Sequence, residues 1–194
     1  MNTKILSVLI LACGCANAST VAKPIHLVGV LGENFTYWNV QHQPDLAVAN
    51  QIHSFSHGAR LSYSINRFIA PEISYINITG LKKETSTTYS SMTHWLATLG
   101  FKVSPLQWYH NTIIPYVRGG IAYREVTESA YLNNNLIDRG IINGPSGFIG
   151  TGIDFNHPHS FLVNIDYSIY NSVGNSPAKL PTAYNLTVGL GLSV

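Results

Sequence analysis

The chain has 194 residues, enough for one domain, and only 10% of them are charged, well below the roughly 25% of soluble domains. No run of about 18 apolar residues occurs, which excludes a membrane-spanning helix. The net charge of +2 comes from interleaved acids and bases without a basic stripe, so nucleic acid is not an expected partner.

The first segment reads as a targeting sequence. Lys4 gives a positive start, Ile5-Leu6-Ser7-Val8-Leu9-Ile10-Leu11-Ala12 is apolar, and Ala16-Asn17-Ala18 offers small residues for cleavage. Residues 1–18 are therefore expected to be a signal peptide and 19–194 the mature domain. Cys13 and Cys15, the chain's two cysteines, would leave with the signal. Lipidation at either one is the alternative, but both are poor matches to the Leu-small-small-Cys pattern.

Eight segments then alternate with period two, the mark of strands with one apolar and one polar face. The first is expected over 26–38, with Leu27, Leu31, Phe35 and Tyr37 on one face. The second (55–66) sets Phe55, Ala59, Leu61, Tyr63 and Ile65 against Arg60, Ser62 and Ser64. The third (70–79) sets Ile73 and Tyr75 against Glu72 and Ser74. The fourth (93–103) sets Trp95, Ala97, Leu99, Phe101 and Val103 against His94, Thr98, Gly100 and Lys102. The fifth (113–125) sets Ile113, Val117, Ile121 and Tyr123 against Tyr116, Arg118, Gly120 and Arg124. The sixth (148–155) sets Ile149, Thr151, Ile153 and Phe155 against Gly150, Gly152 and Asp154. The seventh (161–170) sets Phe161, Val163, Ile165, Tyr167 and Ile169 against Asn164, Asp166 and Ser168. The eighth (184–194) alternates Tyr184, Leu186, Val188, Leu190 and Leu192 with Asn, Thr, Gly and Ser.

Most segments have the 9–11 or so residues that a tilted barrel strand needs to cross a bilayer. The connections alternate short and long, with long loops expected over 39–54, 80–92, 126–147 and 171–183. That asymmetry and low charge predict an all-β fold: an eight-stranded antiparallel up-and-down transmembrane barrel, with termini on the short-turn side. No further domain is expected after the eighth strand.

Pro115-Tyr116-Val117-Arg118-Gly119-Gly120-Ile121-Ala122-Tyr123, Gly147-Phe148-Ile149-Gly150-Thr151-Gly152-Ile153-Asp154-Phe155 and the alternating C-terminal run carry a resemblance. Over nearly the whole mature chain the pattern resembles the eight-stranded outer-membrane proteins of Gram-negative bacteria, including opacity-type and OmpA-like barrel domains. The resemblance implies outer-membrane lipid as the surroundings, periplasmic termini, and barrel-insertion machinery that reads the C-terminal strand. Such chains usually end in an aromatic residue; this one ends in Val194.

The polar faces carry Arg60, Glu72, Lys102, Arg118, Asp154 and Asp166, with Glu33 and Arg124 as further candidates. An eight-stranded barrel is only wide enough for side chains to fill it. Charges confined there must pair, so these six are expected to form a lumen ion-pair network rather than a polar path. Tyr75, Trp95, Trp108 and Tyr109 are expected to form an interfacial aromatic girdle; Trp38 is placed less clearly. His157-Pro158-His159 and the pair His53 and His57 lack the carboxylates or thiolates that would complete a metal site. No catalytic residue, metal site or cofactor is expected. His53-Ser54 and His159-Ser160 have the wrong spacing for a lipid-facing Ser-His-acid set. The expected role is a structural one in the envelope, with loops displayed outward. The alternatives are an adhesin or host-factor binder acting through those loops, a lipid-modifying enzyme, and a narrow channel.

Overall fold

The computed structural model describes residues 25–37, 51–83, 88–106, 112–156, 161–172, 180 and 182–194. The expected signal peptide lies outside the described residues. Eight strands form the fold: β1 (Ile25–Tyr37), β2 (Gln51–Tyr63), β3 (Ile69–Lys83), β4 (Thr88–Val103), β5 (Ile113–Leu132), β6 (Asn135–Asn156), β7 (Phe161–Ser172) and β8 (Thr182–Ser193). Each pairs antiparallel with the next, and β8 returns to β1, so the sheet closes into a barrel with no free edge along its body. The C-terminus takes part in that closure: Ile25 N–H donates to the Val194 carbonyl at 3.0 Å, and Val194 N–H to the Ile25 carbonyl at 2.9 Å.

One circuit through the registers displaces the pairing by about ten residues, so the strands are tilted by about 35–45°. Closure also fixes which face points where. Leu27, Leu61, Ile73, Leu99, Ile121, Ile149, Ile165 and Val188, one from each strand, are all exposed on the outside. Arg60, Glu72, Thr98, Arg118, Asp154, Asp166 and Thr187 are all buried inside. This inverts the usual arrangement, in which polar residues cover the surface and apolar residues fill the core. A predominantly apolar exterior of this kind needs a nonaqueous neighbour.

The connection between β2 and β3 is tight. The Asn66 side-chain oxygen accepts the N–H groups of Phe68 (2.8 Å) and Ile69 (2.9 Å), and the Arg67 guanidinium sits 4.5 Å from the Phe68 ring centroid. At the other end the barrel departs from the sequence reading. Residues 126–147 were expected to form a loop, but most of them continue β5 and β6. The two strands are joined by Asn133-Asn134 alone, with φ of 51° and 65°. Positive φ at both central residues gives the primed turn whose twist matches paired strands, and Asn tolerates it better than other side-chain-bearing residues. The expected 80–92 loop likewise shortens, because β3 runs to Lys83 and β4 starts at Thr88. Pairing of β6 with β7 begins only at Ser146, so the β4–β6 part of the wall rises beyond β7 as a projecting blade.

Candidate functional site

The site is the barrel lumen. It is built from the inward residues of all eight strands and arranged in layers. In the charged layer Asp166 is the hub. Its Oδ1 accepts from Arg60 Nη2 (2.8 Å), Arg118 Nη2 (2.9 Å) and Ser168 Oγ (2.6 Å), and its Oδ2 accepts from the Tyr116 hydroxyl (2.9 Å). Arg118 bridges outward from this hub: Nη1 donates to Glu72 Oε1 at 2.6 Å, and Nη2 to Ser168 Oγ at 2.7 Å. Arg60 also donates to Asn164 Oδ1 (3.1 Å) and Thr187 Oγ1 (2.8 Å).

Asn164 continues the network toward the terminal end, where its Nδ2 donates to Asp154 Oδ1 at 2.7 Å and to the Tyr116 hydroxyl at 2.8 Å. Asp154 is paired with Lys102, whose ammonium lies 4.5 Å from the Tyr116 ring centroid. The structure thus brings Arg60, Glu72, Lys102, Arg118, Asp154 and Asp166 into one continuous network. Five of these side chains are almost wholly enclosed, and Lys102, the most accessible, is 12% exposed. Below the network, at the mouth, His26 links β1 to its neighbours through Ser193 Oγ (2.9 Å) and Ser64 Oγ (3.1 Å).

Two glycines make room for these groups. A Cβ on Gly152 would lie 2.6 Å from Tyr116 Cζ, and one on Gly100 would lie 2.9 Å from Phe148 Cζ. Small residues thus leave the space that the aromatic side chains fill.

Above the charged layer the lumen turns apolar, which the sequence reading did not anticipate. Val30, Ile76, Ile78, Leu96, Ala122, Phe148, Tyr170 and Ala183 form a buried cluster there. Phe148 and Tyr170 stack with centroids 5.7 Å apart, and the Arg118 guanidinium lies 5.3 Å from the Phe148 ring. Higher still, Arg124 Nε donates to His94 Nε2 at 3.1 Å. Met92, Val126 and Leu180 close the far end, with Ile142 packed against them. Leu180, between β7 and β8 in the chain, belongs to this cluster and is buried in it. The clue in the sequence was available: the inward parity that places Glu72 and Ser74 also places Ile76 and Ile78.

Arg124 faces inward as expected, but Glu33 does not. It shares its parity with the outward Leu27 and Leu31, is exposed, and lies opposite Phe55 and Leu186 in the register. Its charge suits the lumen, but alternation along β1 sets its face. His57 is also outward and stacks on Phe55 with centroids 6.1 Å apart. The His53 side chain, His157, His159, Trp38, Trp108 and Tyr109 lie outside the described residues. Tyr75 and Trp95 stack at 6.4 Å on the outer face, and Tyr123 lies 5.7 Å from Trp95. Among the described residues no group of three or more His, Cys, Asp or Glu is placed to hold a metal ion.

No family model and no curated protein matches the sequence. Solved structures do match the fold. Ail, the attachment invasion locus protein of Yersinia pestis, aligns at TM-score 0.56 and 13% identity, covering 89% of this chain and 99% of its own. Neisserial surface protein A aligns at 0.60 and 11%, covering 88% and 97%. The outer-membrane protein OprG of Pseudomonas aeruginosa aligns at 0.52 and 11%, covering 89% and 98%. The fold is that of the eight-stranded outer-membrane β-barrels.

Proposed function

We propose that this chain is a non-enzymatic integral protein of the outer membrane of a Gram-negative bacterium, with a structural role in the envelope and a plugged lumen. The observation that carries the proposal is the inverted barrel itself: aliphatic residues exposed on every strand outside, and charges enclosed and paired inside. Lipid is the solvent that suits the first, and a filled interior suits the second. In this reading Tyr75 and Trp95, with Tyr123 beside them, belong to the girdle at headgroup depth. The termini and short turns face the periplasm, and the β4–β6 blade faces outward. The C-terminal strand is the segment that the insertion machinery engages.

Purified barrels in planar bilayers test the plug. The expected result is rare, small openings or none, with Arg118→Ala raising their frequency. Large, stable steps from the wild-type monomer would overturn it.

The blade favours a second reading, surface binding through the loops. Its hairpin exposes Leu132, Leu136, Ile137 and Ile141, with Asp138 and Arg139 the charged residues between them. Ail, one of the proteins of similar fold, is named for attachment and invasion and has been solved with the heparin analogue sucrose octasulfate. A host or surface ligand at this blade is the corresponding expectation. Loss of whole-cell binding on shortening the hairpin at 128–140, with the barrel still folded, would establish it. Unchanged binding would leave the structural role alone.

A further inference from the structure

The tip of the β5–β6 hairpin has the chemistry of the lipid-facing wall at a height where that wall's lipid does not reach. The run from Ser129 to Ile137 carries no charge. Leu132, Leu136 and Ile137 are 41%, 53% and 60% exposed, as open as Leu61, Leu27 and Leu190 on the barrel wall. Yet β6 parts from β7 at Ser146, and Asn135 lies eleven residues beyond that point. At about 3.3 Å per residue and a tilt of about 35–45°, the tip stands about 25–30 Å above the split. A polar stretch of wall separates the two apolar regions, where Glu125 pairs with Asn143 and Thr93 with Thr127. The bilayer around the barrel therefore does not cover the tip.

The apolar groups occupy both faces of the hairpin. Leu132 pairs with Asn135, and Tyr131 with Leu136. Paired residues share a face and successive residues alternate, so Leu132 lies on one face and Tyr131 and Leu136 on the other. The register shift next to Tyr131 leaves Ile137 as the extra residue of β6, with its side chain exposed. A flat protein surface would cover one face and leave the other wet, whereas a lipid phase closes around both.

We infer that this tip is an interfacial anchor for the lipid surface of a second, facing membrane. The inference rests on the outward orientation of the blade and on surface binding through it, and it names the chemistry of the partner. Entry is shallow. The Asn133-Asn134 turn has no charge to desolvate, and its amides can bond to headgroup and ester oxygens at interfacial depth. The first charges below the tip are Asp138 and Arg139, adjacent and of opposite sign. They limit the depth of entry and give no preference for anionic lipid, so a zwitterionic surface suffices.

Phosphatidylcholine vesicles are the probe, and the wild-type barrel is held in lipid nanodiscs so that its wall is already covered. The discs should float with the vesicles, and raising the salt from 0.1 to 0.5 M should not release them, because the attraction is apolar. Empty discs should not float. A polarity-sensitive dye on Asn135→Cys should report water in the discs alone and shift to the blue when vesicles are added. The same dye on Arg67→Cys, at the opposite end of the barrel, should not shift. Leu136→Asn should weaken vesicle partition about tenfold, and Leu136→Asn with Ile137→Asn about a hundredfold, the loss of one and of two inserted aliphatic side chains. Both positions are exposed, and heat-modifiable migration in detergent gels checks that the variants fold. Equal partition of wild type and the double variant, or a dye on Asn135→Cys that is blue-shifted before vesicles are added or unmoved by them, would overturn the inference. In that case, loss of whole-cell binding on shortening the hairpin would leave surface binding intact with a protein or glycan as the partner. Unchanged whole-cell binding would remove that reading as well.

Discussion

Replacing Asp166 by Asn should destabilise the barrel by about 3–5 kcal/mol, the cost of breaking a buried pair. The four hydrogen bonds that reach Asp166 would suggest a larger loss if each charged bond counted for about 1.5–3 kcal/mol. They do not add, because the partners keep other ties. Arg118 retains Glu72 and Ser168, and Arg60 retains Asn164 and Thr187. The change therefore strips only Arg60 of its carboxylate. Asp154→Asn should cost less, since its partner Lys102 is 12% exposed at the mouth and water there can take over the ammonium. Equilibrium unfolding of the refolded protein in lipid vesicles measures both. Replacing Arg60 by Met as well should recover part of the Asp166 loss, because no unpaired cation then remains. A loss below about 1 kcal/mol for Asp166→Asn, or equal losses for the two aspartates, would refute the reasoning and indicate a water-filled lumen.

Gly152→Val places a branched side chain against the Tyr116 ring and the Ile165 carbonyl. It should lower stability by about 1–3 kcal/mol, the usual penalty for overpacking, and an unchanged unfolding midpoint would show that the lumen has spare room. The orientation is tested by cysteines at two exposed positions, Asp138 on the blade and Arg67 in the β2–β3 turn. In intact cells an impermeant maleimide should label Asp138→Cys and spare Arg67→Cys, and the reverse pattern would invert the topology.

The wall of the barrel was legible because alternation is a local property. Once one residue of a strand is assigned to a face, every second residue follows, and β2, β4, β7 and β8 obeyed this throughout. Charge and composition compete with alternation at two places. The charge of Glu33 points inward, whereas its parity with Leu27 and Leu31 points outward, and parity wins. The Asn, Gly, Pro and Ser of 126–147 have the composition of a loop. Yet Asn133 and Asn134 together make the turn, and the remainder pairs residue for residue with β5 apart from one shift at Ala130 and Tyr131. Composition marks where a chain is able to turn, whereas pairing decides where it does.

The arrangement inside the lumen was not legible, because it depends on contacts between strands far apart in sequence. Residues of like charge and type recur on β2, β3, β4, β5, β6 and β7, and nothing local says that Asp166 serves two arginines while Glu72 serves one. The division into layers has the same origin. Arg60, Arg118 and Asp166 come to one level because the tilt carries each register upward from strand to strand. That tilt also lifts Ile76, Leu96, Phe148 and Tyr170 to the level above. A purely charged interior would leave the upper lumen wet, and a purely apolar one would leave no directional bonds to fix the register of opposite walls. In this barrel the arginine–carboxylate bonds tie β2, β3, β5 and β7 across the interior, while the aliphatic and aromatic layer above them limits the water that could compete for those bonds. The stability of the charged layer is thus coupled to the packing of the layer that covers it.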